Sequence, residues 1–339
     1  MPLRLEPSDD LMHEPEASEN YNESRYYNFF DQATGFGGWV RLGNRVHEGY
    51  AELSVCLYLP DGRVGFIYDR PKITSNDAHN AGGLSFEVVE PFVSHKIAFD
   101  GKVCVLTDPS EMAEPREAFS NNPFSECTIA LRLDAVGPIQ GGEPVAEDGA
   151  PIEGDPSKMF ARGHTEQHMA VTGTVHVGEE RFELGDGLGM RDHSWGPRYW
   201  QNVWYYRWLT VNLGPDLGMG CTIGGDEAGN VGAKGFVYDR KRYGDDRFAL
   251  IRDATIHSDY DDAWVPGSNS LVVTTDDHTY EVSGQIWSTI PLRNRREGKV
   301  TRITEGATRW SYGELSGTGM SEYLDQVIDG VPVGTRHGL

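Results

Sequence analysis

Short runs of alternating apolar and polar residues fill most of the chain, and Gly, Pro, Asn and Asp separate them. That rhythm marks half-buried β-strands, not helices. In the first half the pattern predicts strands over residues 37–44, 50–59, 62–69, 84–90, 95–100, 102–108 and 127–135. The dipeptides Asp61-Gly62 and Asp100-Gly101 are suited to tight turns, because both positions tolerate positive φ. Only residues 110–120 read as a short helix in this half. Residues 137–158 are rich in Gly, Pro and acids and nearly devoid of large apolar side chains, so they read as a linker or long surface loop. The strand rhythm then resumes over 164–177, 180–188, 204–213, 218–224, 232–239, 248–257, 270–275, 279–290 and 313–323. The expected fold is all-β. Two antiparallel barrel or sandwich domains, residues 1–150 and 151–339, are expected to pack side by side with a pocket where they meet.

Composition agrees with that picture. Among 339 residues there are 41 glycines and 18 prolines, too much punctuation for long helices. The 38% hydrophobic share is modest, but 8 Trp, 15 Tyr and 13 Phe bury more area per residue than aliphatic side chains do. A net charge of −22 repels phosphate backbones and anionic lipid heads, which argues against nucleic-acid and electrostatic membrane partners. No apolar run approaches the length of a membrane span and no apolar leader opens the chain, so a cytoplasmic protein is expected. Cys56, Cys104, Cys127 and Cys221 lie far apart in apolar, strand-like settings and read as buried free thiols. The oligomeric state is not set by the sequence, with which a homodimer is compatible.

The densest chemistry lies in Gly187-Leu188-Gly189-Met190-Arg191-Asp192-His193-Ser194-Trp195-Gly196-Pro197-Arg198, followed by Trp200, Trp204, Tyr206 and Trp208. If Arg191–Trp195 is extended, alternation puts Arg191, His193 and Trp195 on one face and Asp192 and Ser194 on the other. A histidine beside an indole, with a carboxylate next door and arginines on both flanks, has the parts of a proton-transfer site. The plainer alternative is a capped turn among core tryptophans. A second cluster, His164-Thr165-Glu166-Gln167-His168, is not the helical zinc-protease motif. On a strand, however, His164, Glu166 and His168 would share a face and could hold a metal, the alternative being a polar row along a pocket or facing solvent. Asp10, His13, Glu14 and Glu16 precede Asn22-Glu23-Ser24-Arg25-Tyr26-Tyr27, a polar strand entry whose charges are expected to be solvated. Glu322, between aromatic residues near the C-terminus, is a candidate buried acid. The dinucleotide, phosphate-loop and nucleophile-elbow signatures are all absent, so no cofactor is expected.

The run 187–198, preceded by Glu166-Gln167 and Gly173-Thr174-Val175, resembles the carotenoid 1,2-hydratase (hydroxyneurosporene synthase) and tocopherol-cyclase-like superfamily. Fungal lipocalin-type Diels–Alderases look like more distant relatives. Asp10-x-x-His13, Asn22-Glu23-Ser24-x-Tyr26 and Arg41-Leu42-Gly43-Asn44 are similar to the first domain of a bacterial branch, and Gly317-x-Gly319-x-x-Glu322-Tyr323 to its last strand. The resemblance implies tandem lipocalin-like β domains and a cofactor-independent hydratase, dehydratase or related isomerase or cyclase acting on a hydrophobic isoprenoid- or steroid-like molecule. It maps acid–base chemistry onto Asp192 and His193, beside Trp195. Those enzymes also use a Tyr-x-Asp pair farther along the second domain, for which this chain offers Tyr238-Asp239, adjacent and not separated. On this reading Asp192, His193 and Glu322 are catalytic. Trp195, Arg191, Trp200, Trp204, Tyr206, Glu166, Tyr238 and Tyr26 contact substrate, and the aromatic faces stabilise a developing cation. A non-catalytic lipid or isoprenoid carrier is the alternative, and a metal-dependent enzyme using His164, Glu166 and His168 the third.

Overall fold

A computed structural model describes residues 2–152, 154–156, 159–296, 298–337 and 339. Nearly all its regular structure is antiparallel β, as the alternation predicts, in two sheets of 12 and 10 strands. Two short α-helices, Pro115–Asn121 and Arg240–Tyr243, accompany them. No helix among the described residues is long and apolar enough to cross a membrane.

The first compact unit joins Met1–Val105 to Asn122–Asn202. Its principal strands are β1 (Tyr21–Asp31), β2 (Phe36–Arg45), β3 (Tyr50–Tyr58), β4 (Val64–Asp69), β5 (Leu84–Glu90), β6 (Ser94–Leu106), β7 (Phe124–Ala135), β8 (Gln140–Pro144), β9 (Gly163–Val177) and β10 (Glu180–Pro197). Pairing runs β9, β10, β1, β2, β3, β4, β6, β7 and back to β9, a closed circuit with no free edge. Inside it lie Tyr27, Phe29, Leu42, Leu53, Val55, Ile129, Leu131, Met169 and Val171.

The second unit joins Leu106–Asn121 to Val203–Leu339. Its strands are β11 (Tyr205–Asn212), β12 (Leu217–Gly225), β13 (Val231–Asp239), β14 (Asp253–Tyr260), β15 (Pro266–Thr274), β16 (Thr279–Arg296), β17 (Lys299–Tyr312) and β18 (Leu315–Ile328). They pair in the order β13, β12, β11, β18, β17, β16, β15, β14. Leu209, Val211, Met219, Val237, Leu271, Val273 and Trp310 form its core.

Three expectations change. The boundary expected at residue 150 lies inside the first unit, because β8 pairs with β9 while β9 and β10 pair with β7 and β1. The Asp-His-Ser-Trp-Gly run therefore belongs to the first unit and not to a C-terminal domain. The strand expected to stop at 188 continues to Pro197. Gly189 is not a breaker there: a β-carbon on it would lie 1.9 Å from the Asn28 carbonyl oxygen, so the glycine permits close strand approach. Finally, the N-terminal polar segment is solvated only in part: Glu14 is exposed, but Asp10 is buried. All eleven residues of β1 are buried, Glu23 and Arg25 among them.

Candidate active site

Strands β9, β10, β1 and β2 carry the site, and their register assigns each side chain to a face. His193 pairs with Arg25 and Thr165, Arg191 with Tyr27 and Gln167, and Trp195 with Glu23 and Gly163. These share the face of Leu42 and Met169, which is the core face. Asp192 pairs with Tyr26 and Glu166 on the opposite face, and Ser194 with Ser24 and His164. The alternation expected of Arg191–Trp195 is thus realised, and it sends the adjacent Asp192 and His193 into separate surroundings.

The core face holds an ionic network. Asp10 accepts hydrogen bonds from Arg191 Nη1 (2.7 Å), Arg25 Nη1 (3.2 Å) and the Phe92 amide (2.7 Å), and it contacts His95 Nε2 at 3.1 Å. Burial alone would raise its pKa, but His95, Arg191 and Arg25 hold the carboxyl far below the usual range. Burial pushes the His95 ring down to about 4. The neutral ring then donates from Nε2 to Asp10 and accepts the Tyr27 hydroxyl at Nδ1, 2.8 Å away. Glu23 lies in the same interior, beside His193 Nε2 (3.0 Å) and His13 Nδ1 (2.9 Å). Burial, reinforced by Arg25, pushes His193 down to about 3, and the ring has no exposed surface. Trp195 is also buried, with His13 stacked on it at 4.1 Å.

The opposite face is more accessible. Asp192 hydrogen-bonds His164 Nε2, and the two side chains keep 20% and 36% of their surface. Burial raises the Asp192 pKa, but His164, Arg198 and His193 outweigh it and hold the carboxyl below its ordinary range. Tyr26 and Glu166 flank Asp192 as its cross-strand partners. Tyr26 stacks on Trp39 at 5.7 Å. Arg198 donates to Ser194 Oγ at 2.6 Å. The Arg198 and Arg41 guanidiniums approach the Trp200 ring to 5.3 and 5.6 Å, so its face already serves protein cations.

Two triplets among the described residues place ligand atoms within 4.8 Å of one another: His164 with Glu166 and Asp192, and His13 with Glu23 and His193. His168 shares the face of His164 and Glu166, yet Asp192 takes its place in the first triplet. The proposed His164/Glu166/His168 set is corrected accordingly, because cross-strand pairing brings Asp192 directly opposite Glu166.

The remaining expected residues, Trp204, Tyr206, Tyr238 and Glu322, belong to the second unit. There the Tyr206 hydroxyl donates to Glu322 Oε1, while Tyr238 is buried on β13. Glu322 pairs directly with Glu305 across β17 and β18, so two buried carboxyl groups face each other. Sequence reasoning missed Glu305, and also Asp10 and Glu23 as buried groups; nothing in their local pattern separates them from solvated acids.

Tandem antiparallel units, the first closed on itself, define a two-unit lipocalin-like β-protein. The chain belongs to the family described as a domain of unknown function, DUF7064, whose profile matches residues 6–327. Three solved structures share the fold. Kievitone hydratase from Nectria haematococca superposes with a TM-score of 0.57 at 10% identity, covering 89% of this chain and 88% of its own. A protein assigned as an AttH from Nitrosomonas europaea gives 0.55 at 12% identity, covering 91% and 94%. CghA gives 0.53 at 12% identity, covering 93% and 91%. At such identities the likeness is one of fold. No curated protein sequence matches the chain.

Proposed function

We propose that the protein is a hydro-lyase-type enzyme that adds or removes water on a hydrophobic, isoprenoid- or steroid-like small molecule, with Asp192 and His164 as its acid–base pair. The observation that carries this reading is their contact on a partly exposed face, with Glu166 and Tyr26 beside it. A carboxylate held ionised orients the imidazole and balances the proton it takes up, the arrangement a general base requires. In dehydration His164 takes a proton from carbon, the C–O electron pair leaves with oxygen, and Glu166 supplies the proton that completes water. Hydration is the reverse. Positive charge developing on carbon is met by the Asp192 and Glu166 carboxyl groups; Trp200, engaged by two guanidiniums, contributes less. His193, assigned the proton-transfer role from its sequence neighbours, serves in this reading as part of the core network. The fold shared with kievitone hydratase and the resemblance of residues 187–198 to the carotenoid hydratases both support the class.

The test is incubation with a tertiary isoprenoid alcohol and its alkene in water labelled with heavy oxygen, read by mass spectrometry. Label should enter the alcohol with the native protein and fail to enter with Asp192→Asn or His164→Gln. Tight binding of both probes without label incorporation would favour a carrier.

A further inference from the structure

Glu23 is built differently from a carboxylate that merely neutralises a cation. Its Oε2 accepts hydrogen bonds from Asn76 Nδ2 (2.6 Å), the Tyr21 hydroxyl (3.1 Å) and the His13 amide (3.0 Å). Its Oε1 faces two imidazoles, His13 Nδ1 at 2.9 Å and His193 Nε2 at 3.0 Å, and is also 3.2 Å from the His13 amide. One oxygen is therefore fixed by neutral donors and the other is presented to nitrogen ligands. The His13 ring is fixed as well. His13 lies at 14° to the Trp195 indole with 4.1 Å between centroids, and Asp9 Oδ1 stands 3.7 Å from its far nitrogen, Nε2. A third imidazole, His79, lies 6.2 Å from the His193 ring and donates from Nε2 to the Glu23 carbonyl oxygen at 3.1 Å. Its Nδ1 and that of His193 are buried without a hydrogen-bond partner, in residues 2% and 0% exposed.

We propose that His13, Glu23 and His193 form a binding site for one divalent first-row transition-metal ion, of the zinc or iron(II) class, in the interior of the first unit. Ligands about 2.0–2.1 Å from one such ion stand roughly 3–3.5 Å apart. The nitrogen-to-oxygen separations already fall at the edge of that range, and all three ligand atoms lie within 4.8 Å of one another. Two neutral nitrogens and one carboxylate oxygen suit these metals and not calcium or magnesium, which prefer oxygen alone. Asn76 and Tyr21 on the carboxylate, with Asp9 beyond His13, are the outer partners that orient ligands at such centres. The ion would tie the N-terminal segment carrying His13 to β1 and β10. The partly exposed His13, with 18% of its side-chain surface accessible, marks the way in. The site is separate from the Asp192–His164 pair and does not depend on the activity proposed for it.

The test uses the full chain, freed of metal with a chelator and titrated with cobalt(II). One equivalent should bind, with visible ligand-field bands, and zinc(II) should raise the thermal midpoint of the native protein. Glu23→Gln and His13→Ala should each weaken binding by more than tenfold, and Asn76→Ala by about tenfold. His164→Ala should leave the bands unchanged. His13→Ala alters a peripheral ring, so it reports on the site even if Glu23→Gln folds poorly. No cobalt bands and no zinc-dependent midpoint shift in the native protein would overturn the proposal. So would bands that survive His13→Ala and vanish in His164→Ala, because the ion would then sit on the opposite face.

Discussion

The Trp195 indole occupies the space that a β-carbon on Gly163, its cross-strand partner, would need: such an atom would lie 2.2 Å from the ring. The ring is also held by a hydrogen bond from Nε1 to Glu143 Oε1 at 2.8 Å. Gly163→Ala should therefore destabilise the first unit by about 1–3 kcal/mol through overpacking. Urea unfolding measures this, and adding Trp195→Phe should recover part of the loss if the two residues conflict directly.

Asp192→Asn and His164→Gln should each lower turnover by about 10²–10⁴-fold, the usual contribution of a positioned acid–base group. The double variant should be little worse than either single one, because the two act as a unit. Additive losses, measured as kcat/KM on the same substrate, would contradict a coupled pair.

Glu52 supplies a pH prediction. Burial alone would raise its pKa, but Arg41 and Arg45, at 3.0 and 2.9 Å, hold it down to about 2 from an ordinary 4.5. A depressed carboxyl stabilises the fold above its unfolded pKa, and that contribution fades as pH falls through 4.5 toward 2. Glu52→Gln should thus cost about 3 kcal/mol near neutrality, and the gap to the native protein should shrink in acid. Urea midpoints across that pH window provide the check.

All four cysteines are buried thiols outside any disulfide, and burial pushes the Cys127 thiol up to about 12. A thiol-reactive disulfide reagent at neutral pH should modify none of them in the folded protein and all of them in urea. Reaction of Cys127 in the native state would indicate that β7 opens.

In the second unit Arg207 is fully buried and grips Asp325 with two bonds of 3.0 and 3.2 Å, with the Tyr323 ring 4.7 Å away. Removing one partner strands the other charge. Asp325→Ala should cost about 3–5 kcal/mol in thermal or urea unfolding.

Much of this architecture is legible in the sequence where one strand face is buried and the other wet. The stretches around β5 and β7 show that alternation, and their boundaries fall within a few residues of those expected. β1 escapes because both of its faces are buried, so Asn22, Glu23, Ser24 and Arg25 look like a solvated entry. β17 escapes for another reason: its Thr, Arg and Glu residues dilute the apolar period. At the site, a period of two suffices to separate Asp192 from His193. The partnership of Asp192 with His164, and of Glu305 with Glu322, depends on how strands pair, and local pattern carries no record of register.

The closed circuit of the first unit also fixes when it can form. β1 must wait for β10, and β7 for β9, while residues 106–121 leave to join the second unit. On the ribosome, the first-made strands therefore hold an unpaired hydrogen-bonding edge until synthesis passes Pro197. A chain cut at residue 150 would keep that edge permanently, and such edges recruit other strands. The gene product is thus indivisible near its middle: a fragment ending there should be recovered as aggregate, not as an autonomous domain.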